Sequence, residues 1–140
     1  MNNNIHFSSK TDQWATPRWF AELYKKKYRL TLDVCADEHN SVCDDFYSKK
    51  DNGLSQEWRD GFWMNPPYGR GIIEWVKKAD NSGFFGVGLL PARTDTRWFQ
   101  DHCIHHPHFF VKGRLKFGDS KNSAPFPSVV VLFNAFNNSK

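Results

Sequence analysis

Three stretches of the chain place their apolar residues at helical spacing. The first begins at Thr16-Pro17, which predicts Thr16 as the N-cap and Pro17 as the first helical residue, and it ends in the lysines of 25–27. Its predicted apolar face consists of Trp19, Phe20, Leu23 and Tyr24. The second stretch covers 71–79, and the third contains Trp98, Phe99 and Cys103. Residues 1–13 are polar and are expected to be flexible.

Strand-like runs lie between and after these helices. The first predicted strand ends at Asp33. The others cover 43–47, 62–64, 84–91, 107–117 and 128–133. The run 84–91 is almost continuously apolar, as in a strand covered on both faces, and 118–127 joins the last two strands. About thirty residues separate Asp33 from Asn65, which leaves little room for helices between the first strands. The order predicts an abridged α/β fold whose mixed sheet ends in a C-terminal antiparallel hairpin.

Length and composition are those of one packed domain. The chain has 140 residues, of which 39% are hydrophobic and 16% aromatic, so residues 1–140 are expected to form one domain. No apolar run approaches the length of a membrane span, and the polar N-terminus is not that of a signal peptide. These features favour a cytoplasmic protein that does not bind membranes.

The net charge of +4 lies entirely in the second half of the chain. Residues 1–70 contain equal numbers of basic and acidic side chains, whereas residues 71–140 contain nine Lys or Arg against five Asp or Glu. Such a basic half suits a phosphate backbone, although a solvated basic face explains the charge equally well.

Cysteine and histidine spacing predicts neither a disulfide framework nor a metal site. The three cysteines form no Cys-x-x-Cys pair. His105, His106 and His108 lie close together near Cys103, but adjacent histidines rarely converge on one ion without partners elsewhere at a known spacing. None of the cysteines follows a proline, so the nucleophile used for carbon methylation of cytosine is absent.

The segment Asn65-Pro66-Pro67-Tyr68, directly after the apolar run 62–64, is the strongest chemical signal. The prolines must end the strand, and an ordinary Pro-Pro turn is the alternative explanation. An exocyclic amine such as that of adenine is a poor nucleophile, because its lone pair is delocalised into the ring. The side-chain oxygen of Asn65 and the carbonyl of Pro66 could accept its two N–H bonds, while Tyr68 stacks on the ring. The segment is therefore a candidate catalytic loop.

Six motifs in this order resemble the phage-encoded DNA N-6-adenine methyltransferases of the Dam family. They are Trp14-Ala15-Thr16-Pro17, Leu32-Asp33-Val34-Cys35-Ala36, Leu54-x-x-x-Trp58, Asn65-Pro66-Pro67-Tyr68-Gly69, the segment from Leu90 to Phe99, and Gly113-Arg114-Leu115-x-Phe117. The resemblance implies an abridged Rossmann-like, class I S-adenosylmethionine-dependent fold. It also implies direct methyl transfer from S-adenosylmethionine to the amino group of a flipped adenine in DNA, without a metal.

The resemblance assigns roles to individual residues. Trp14, Thr16 and Pro17 would lie near the methionine end of the cofactor, Asp33, Val34, Cys35 and Ala36 near its amino group and sugar, and Asn52 and Leu54 near its adenine. Asn65, Pro66, Pro67 and Tyr68 would hold the target base. The resemblance places Arg93, Arg114 and Phe117 on the DNA side, and the positive charge of the second half adds Arg97, Lys116 and Lys121 to the predicted DNA-binding set.

Asn52 departs from the resemblance, because an Asp is expected there. Double-stranded DNA is the expected partner of a monomer or homodimer. Cytosine, RNA and protein glutamine remain alternative acceptors, and a non-catalytic nucleic-acid-binding protein on the same scaffold is the alternative from another class.

Overall fold

The computed structural model describes residues 16–117 and 124–136, and within these ranges it is a six-stranded mixed sheet with three α-helices. The helices are α1 (Arg18–Tyr28), α2 (Ile72–Ser82) and α3 (Arg97–His102). The strands are β1 (Leu32–Asp33), β2 (Asp45–Phe46), β3 (Phe62–Met64), β4 (Gly86–Pro91), β5 (His108–Phe110) and β6 (Ser128–Phe133). One short 3₁₀ turn, Gly53–Ser55, lies between β2 and β3. The helices in these ranges are too short and too polar to cross a membrane.

The strand order across the sheet is β2-β1-β3-β4-β6-β5. The first four strands in this order are parallel, and β6 is antiparallel to both β4 and β5. The mixed sheet with a C-terminal antiparallel pair agrees with the sequence prediction. The predicted strand over 107–117 was too long, because regular pairing stops at Phe110 and Gly113 adopts a φ of 74°, which is incompatible with an extended strand.

The two faces of β3 explain how the short central strands remain in place. Side chains alternate along a strand, so Trp63 points to one face, where its ring lies 6.4 Å from that of Tyr24 on α1. Phe62 points to the other face and contacts Trp58, which stacks on Trp75 of α2. Gly86 on β4 makes room for the Phe62 ring, because a Cβ at Gly86 would lie 2.3 Å from it. Helices therefore cover both faces of this apolar strand.

Helix α1 differs from its prediction at its start and in its apolar face. Pro17 is the N-cap, rather than Thr16, and its carbonyl accepts the backbone N–H groups of Phe20 and Ala21. Phe20 and Ala21 are buried against the sheet, whereas Trp19 and Leu23 are 63% and 59% exposed. The amphipathic pattern therefore predicted the helix correctly, but the buried face of the helix differs from the predicted one. The three lysines occupy the last turn, as expected for the negative end of the helix dipole.

Helices α2 and α3 agree closely with the sequence pattern. The four residues at helical spacing in α2, Ile72, Trp75, Val76 and Ala79, are all buried, and the helix ends at Gly83 with a φ of 75°. Thr96 caps α3 by accepting the backbone N–H of Phe99. Trp98 and Phe99 are buried below it, and Cys103 is its buried C-cap.

Candidate active site

Three neighbouring parallel strands, β1, β3 and β4, end at the same edge of the sheet and bring their following residues together there. Open α/β sheets bind ligands at this carboxyl edge. Beside the ends of β1 and β3 lies a cavity of about 390 Å³, which is within the usual size of a small-molecule site. Its walls are formed by residues of three chain segments, 33–42, 47–53 and 63–67, together with Thr16 and Trp75.

Asp33, the last residue of β1, organises the loop that forms one wall of the cavity. Its Oδ1 accepts the backbone N–H of Cys35 at 3.1 Å, and its Oδ2 accepts that of Val42 at 2.9 Å. The side chain is almost fully buried. This burial raises the pKa of Asp33 to about 7, although the two N–H groups partly oppose the rise. Asp33 therefore combines a structural role with a carboxylate placed to meet a cationic ligand.

Another part of the cavity wall depends on a close backbone approach at Gly53. A Cβ at this position would lie 2.1 Å from the carbonyl oxygen of Val34 and 3.1 Å from the Trp75 ring. Only glycine allows the 3₁₀ turn to come this close to the end of β1. Asn52, directly before it, has a φ of 60° and lines the cavity. The result is a recess beside the indole ring of Trp75.

The Asn-Pro-Pro-Tyr segment leaves the end of β3 with its side chains in a hydrogen-bonded network. Nδ2 of Asn65 donates to Oγ1 of Thr16 at 2.9 Å. The Tyr68 hydroxyl lies 2.6 Å from Oδ1 of Asn65 and 2.9 Å from the carbonyl oxygen of Leu89 on β4. Since a hydroxyl has one proton, it donates to one of these acceptors at a time. Burial raises the pKa of Tyr68 well above its ordinary value, so the group stays a neutral donor.

The ring of Tyr68 is less open than base stacking requires. It is 7% exposed and makes edge-to-face contacts with Phe126, at a centroid distance of 5.5 Å, and with Phe117, at 6.4 Å. A base can stack on Tyr68 only if this aromatic contact shifts. Of the two prolines, Pro66 is buried and Pro67 lines the cavity.

Most of the predicted cofactor residues lie at the cavity. Those that line it are Thr16, Asp33, Val34, Cys35, Ala36 and Asn52. Pro17 is buried at the start of α1 and Leu54 packs against the core, so neither lines the cavity. Trp14 lies outside the described residues.

Gly53, which lies in the predicted stretch from Asn52 to Leu54, also lines the cavity, and the lining residues missed from the sequence are Asp37, Asn40, Val42, Tyr47, Ser48, Lys49, Trp63 and Trp75. Tyr47 to Lys49 directly follow β2, so the rule that sites lie at the carboxyl ends of strands could have found them.

The predicted DNA-binding residues fall into two groups. Arg93, Arg97, Arg114 and Lys116 are exposed. The Arg93 guanidinium lies 6.0 Å from the centre of the Phe126 ring, and Arg114 donates to the carbonyl of Ala124 at 3.4 Å. Phe117 is instead 3% exposed, because it packs inward towards Tyr68 and Phe126. Contact between Phe117 and DNA stays a prediction, and in this arrangement of the chain the ring is covered by its neighbours; Lys121 lies outside the described residues.

A histidine cluster converges on Asp80, a carboxylate partner that sequence reasoning missed. His102 lies 3.0 Å from its Oδ2, and His105 and His106 lie 2.9 and 2.8 Å from its Oδ1. The ligand atoms of Asp80, His105 and His106 lie within 4.8 Å of one another, as in a metal site. The backbone N–H of Asn134, however, donates to Nδ1 of His106, which places the ring proton on Nε2. A protonated Nε2 has no lone pair for a metal, so the cluster is better explained as a hydrogen-bonded junction between α2, α3 and β6.

Comparisons with known proteins agree with the sequence motifs. The family model described as DNA N-6-adenine-methyltransferase (Dam) matches residues 4–140. The chain is 30% identical over 140 residues to the DNA N-6-adenine-methyltransferase of Haemophilus phage HP1 (strain HP1c1), in an alignment that covers 89% of this chain and 80% of the relative. It is 38% identical over 97 residues to the DNA N-6-adenine-methyltransferase of Escherichia phage T1, covering 64% of this chain and 40% of that relative.

The family match includes the loop after β1, the Asn-Pro-Pro-Tyr segment after β3 and the antiparallel pair at the C-terminal end of the sheet. On this evidence the chain belongs to the DNA N-6-adenine-methyltransferase (Dam) family.

Proposed function

We propose that this protein transfers a methyl group from S-adenosylmethionine directly to the exocyclic amine of adenine in double-stranded DNA. The observation that carries the proposal is the side-chain amide of Asn65 at the end of β3, beside a cavity that also contains Asp33. Family membership supports two parts of this proposal: that the protein is an enzyme, and that adenine is the base it methylates. We also propose that the sheet is an abridged class I methyltransferase sheet, in which the antiparallel β6 lies between β4 and β5.

The chemistry of the cavity fits S-adenosylmethionine. The carboxyl groups of Asp33 and Asp37 lie on one side, where a cationic amino-acid end would be attracted, and the recess at Gly53 and Trp75 suits a flat purine. The Asn52 side chain lines this recess, and its amide can both donate to and accept from a purine edge. When bound, the cofactor supplies a methyl group on a positively charged sulfur, which is a strong electrophile.

Asn65 prepares the acceptor amine for this transfer. Its Oδ1 can accept one N–H of the target amine, which favours the tetrahedral nitrogen whose lone pair is free to react. The Tyr68 hydroxyl now bound to Oδ1 has a second acceptor in the carbonyl of Leu89 and can turn to it when the base arrives. We assign the second N–H to the carbonyl of Pro66. No covalent intermediate with the protein is required: the nitrogen lone pair would form the new N–C bond as the bond between the methyl carbon and the sulfur breaks, leaving S-adenosylhomocysteine, and the amine would then lose one proton to solvent.

The exposed basic residues at the same edge supply the DNA contacts. Arg93 follows β4, and Arg114 and Lys116 follow β5, so these side chains lie near the mouth of the candidate site. Phosphate contacts from such residues position a duplex without reading its sequence. The target adenine must then leave the stack, which costs a few kcal/mol, and enter the site past Phe117 and Phe126.

The test is methylation of plasmid DNA prepared from a strain that lacks DNA methylation. Purified protein with S-adenosylmethionine should produce N6-methyladenine at a defined sequence, read by long-read base-modification sequencing. The Asn65→Ala variant should lose methylation by a factor of at least about 100, because removing one aligned transition-state contact has effects of this size. Its affinity for the cofactor, measured by calorimetry, should stay within about threefold.

The same methylation and calorimetry measurements distinguish the competing explanations. Methylated cytosine in place of methylated adenine would contradict the assigned acceptor. A folded protein that binds S-adenosylmethionine but modifies no base would contradict the proposed reaction. An equal loss of cofactor binding and methylation in Asn65→Ala would show that Asn65 serves the cofactor rather than the base.

A further inference from the structure

The side-chain amide of Asn65 has named partners at both ends, and one of them lies far away in the sequence. Nδ2 donates to Oγ1 of Thr16 at 2.9 Å, a contact between residues 49 positions apart. Oδ1 lies 2.6 Å from the hydroxyl of Tyr68. The amide oxygen therefore points away from Thr16 and towards the side of the loop where Tyr68 lies.

The orientation of this amide is not fixed by the backbone. Asn65 precedes Pro66 and Pro67, so its main chain is restricted to extended conformations. The last side-chain torsion of Asn, in contrast, is broad and roughly two-fold, and its oxygen and nitrogen exchange places when it rotates by half a turn. In the exchanged orientation an NH₂ group would face the target amine, and an NH₂ group cannot accept its N–H. A hydroxyl can donate or accept, and in the orientation observed the Thr16 hydroxyl accepts from Nδ2, which leaves Oδ1 on the side away from Thr16, as Asn65 needs in order to accept from the target amine.

Thr16 is held firmly enough to be such a partner. It precedes Pro17, which restricts its backbone in the same way, and the Pro17 carbonyl is anchored by the N–H groups of Phe20 and Ala21 at the start of α1. Within the described residues, the hydrogen bond of the Thr16 hydroxyl is the one to Asn65, and the N-cap of the helix is Pro17. Thr16 is also half-buried at the wall of the cavity, where competition from bulk water is reduced.

From this geometry we infer that Thr16 is a positioning residue: its hydroxyl holds the Asn65 amide with Oδ1 directed at the acceptor amine. The inference rests on the proposed function, since the orientation matters only if Asn65 binds the target base. It differs from the role that the resemblance implies for Thr16, which is contact with the methionine end of the cofactor. A positioning role affects the chemical step, whereas a cofactor contact affects cofactor affinity.

Two variants separate these roles. Thr16→Val keeps the shape of the side chain and removes the hydroxyl, and Thr16→Ser keeps the hydroxyl. In steady-state assays on plasmid DNA we expect Thr16→Val to lower kcat about five- to tenfold, as for the loss of one hydrogen bond that orients a reacting group. The KM for DNA and the calorimetric Kd for S-adenosylmethionine should change by less than about threefold. Thr16→Ser should restore kcat to within about twofold of the wild type.

A readout that needs no activity accompanies the kinetics. The side-chain NH₂ resonances of Asn65 in a ¹⁵N–¹H spectrum of the cofactor-bound protein should shift in Thr16→Val and stay close to the wild-type position in Thr16→Ser. An unchanged Asn65 signal in Thr16→Val would overturn the inference, as would a weakened cofactor affinity with an unchanged kcat. A wild-type protein that modifies no DNA base would instead contradict the proposed function, and the NMR comparison would still decide whether Thr16 orients Asn65.

Discussion

The buried carboxyl group of Asp33 predicts a trade-off between the stability of the free protein and its affinity for a cationic cofactor. Burial raises the pKa of this group from 3.8 to about 7 in the folded protein. Between these two values the folded protein binds a proton that the unfolded chain has released. The contribution of Asp33 to the free energy of unfolding is therefore largest below about pH 4 and decreases as the pH rises to about 7. The perturbation that tests this is Asp33→Asn, which is neutral at every pH.

The size of the effect follows from the two pKa values. Integrated from pH 5 to pH 8, the difference in bound protons corresponds to about 3 kcal/mol. We therefore expect the unfolding free energy of Asp33→Asn, measured in urea, to rise relative to that of the wild type by about this amount over this range. Taking the difference between the two proteins removes the titration of all groups that they share, including the histidines around Asp80.

The same substitution should weaken cofactor binding. A positively charged ligand near Asp33 compensates for the burial of its charge, so the wild type should bind S-adenosylmethionine more tightly as the pH rises towards about 7. The affinity of Asp33→Asn should be lower and nearly independent of pH over this range. Asp45→Asn is the matched control, because Asp45 is exposed and pairs with Arg59 at the surface, where such a pair contributes less than about 1 kcal/mol. A stability difference between wild type and Asp33→Asn that does not change between pH 5 and pH 8 would refute this reasoning.

Three further predictions concern other parts of the structure. Gly53→Ala should weaken cofactor binding at least tenfold in calorimetry, because its Cβ would meet the carbonyl of Val34 at 2.1 Å; wild-type affinity would contradict the close approach. Arg114→Ala should weaken DNA binding and reduce the slope of its salt dependence by about one, and an unchanged slope would remove Arg114 from the DNA interface. Asp80→Asn should lower the unfolding free energy by about 2 kcal/mol, since it replaces an acceptor of three histidine hydrogen bonds. A neutral result in urea denaturation would show that this junction contributes little.

Local patterns predicted most of the regular structure, because those residues are buried by their immediate neighbours. The run from Phe62 to Met64 is buried on both faces, so three consecutive apolar residues were enough to identify β3. The four apolar residues of α2 are its buried face for the same reason. The pattern was less reliable for α1, where Trp19 and Leu23 have the right spacing but remain exposed. Spacing predicts which residues share a helix face, but the sheet decides which face it covers.

The residues of the candidate site were predictable where a motif marks the end of a strand. Asp33 is the last residue of β1 and Asn65 directly follows β3, and both line the cavity. Ser48 and Lys49 follow β2 in the same way, but β2 contains only two residues and gives almost no periodic signal. The helical spacing of the sequence placed Trp75 on the apolar face of α2. Its contact with the cavity depends on the close approach of Gly53, and no local sequence pattern predicts that approach.

Thr16 shows most clearly why a local rule and a tertiary contact can compete for one side chain. A threonine before a proline at the start of a helix is a strong N-cap signal, and capping satisfies one backbone N–H. Here the helix begins one residue later than that rule predicts, with Pro17 as the N-cap, and the Pro17 carbonyl accepts the first helical hydrogen bonds from Phe20 and Ala21. The hydroxyl instead reaches Asn65, whose amide needs a partner to fix its orientation. A polar side chain released from its local role in this way is available for function, and here it lies next to the atom on which the proposed chemistry depends.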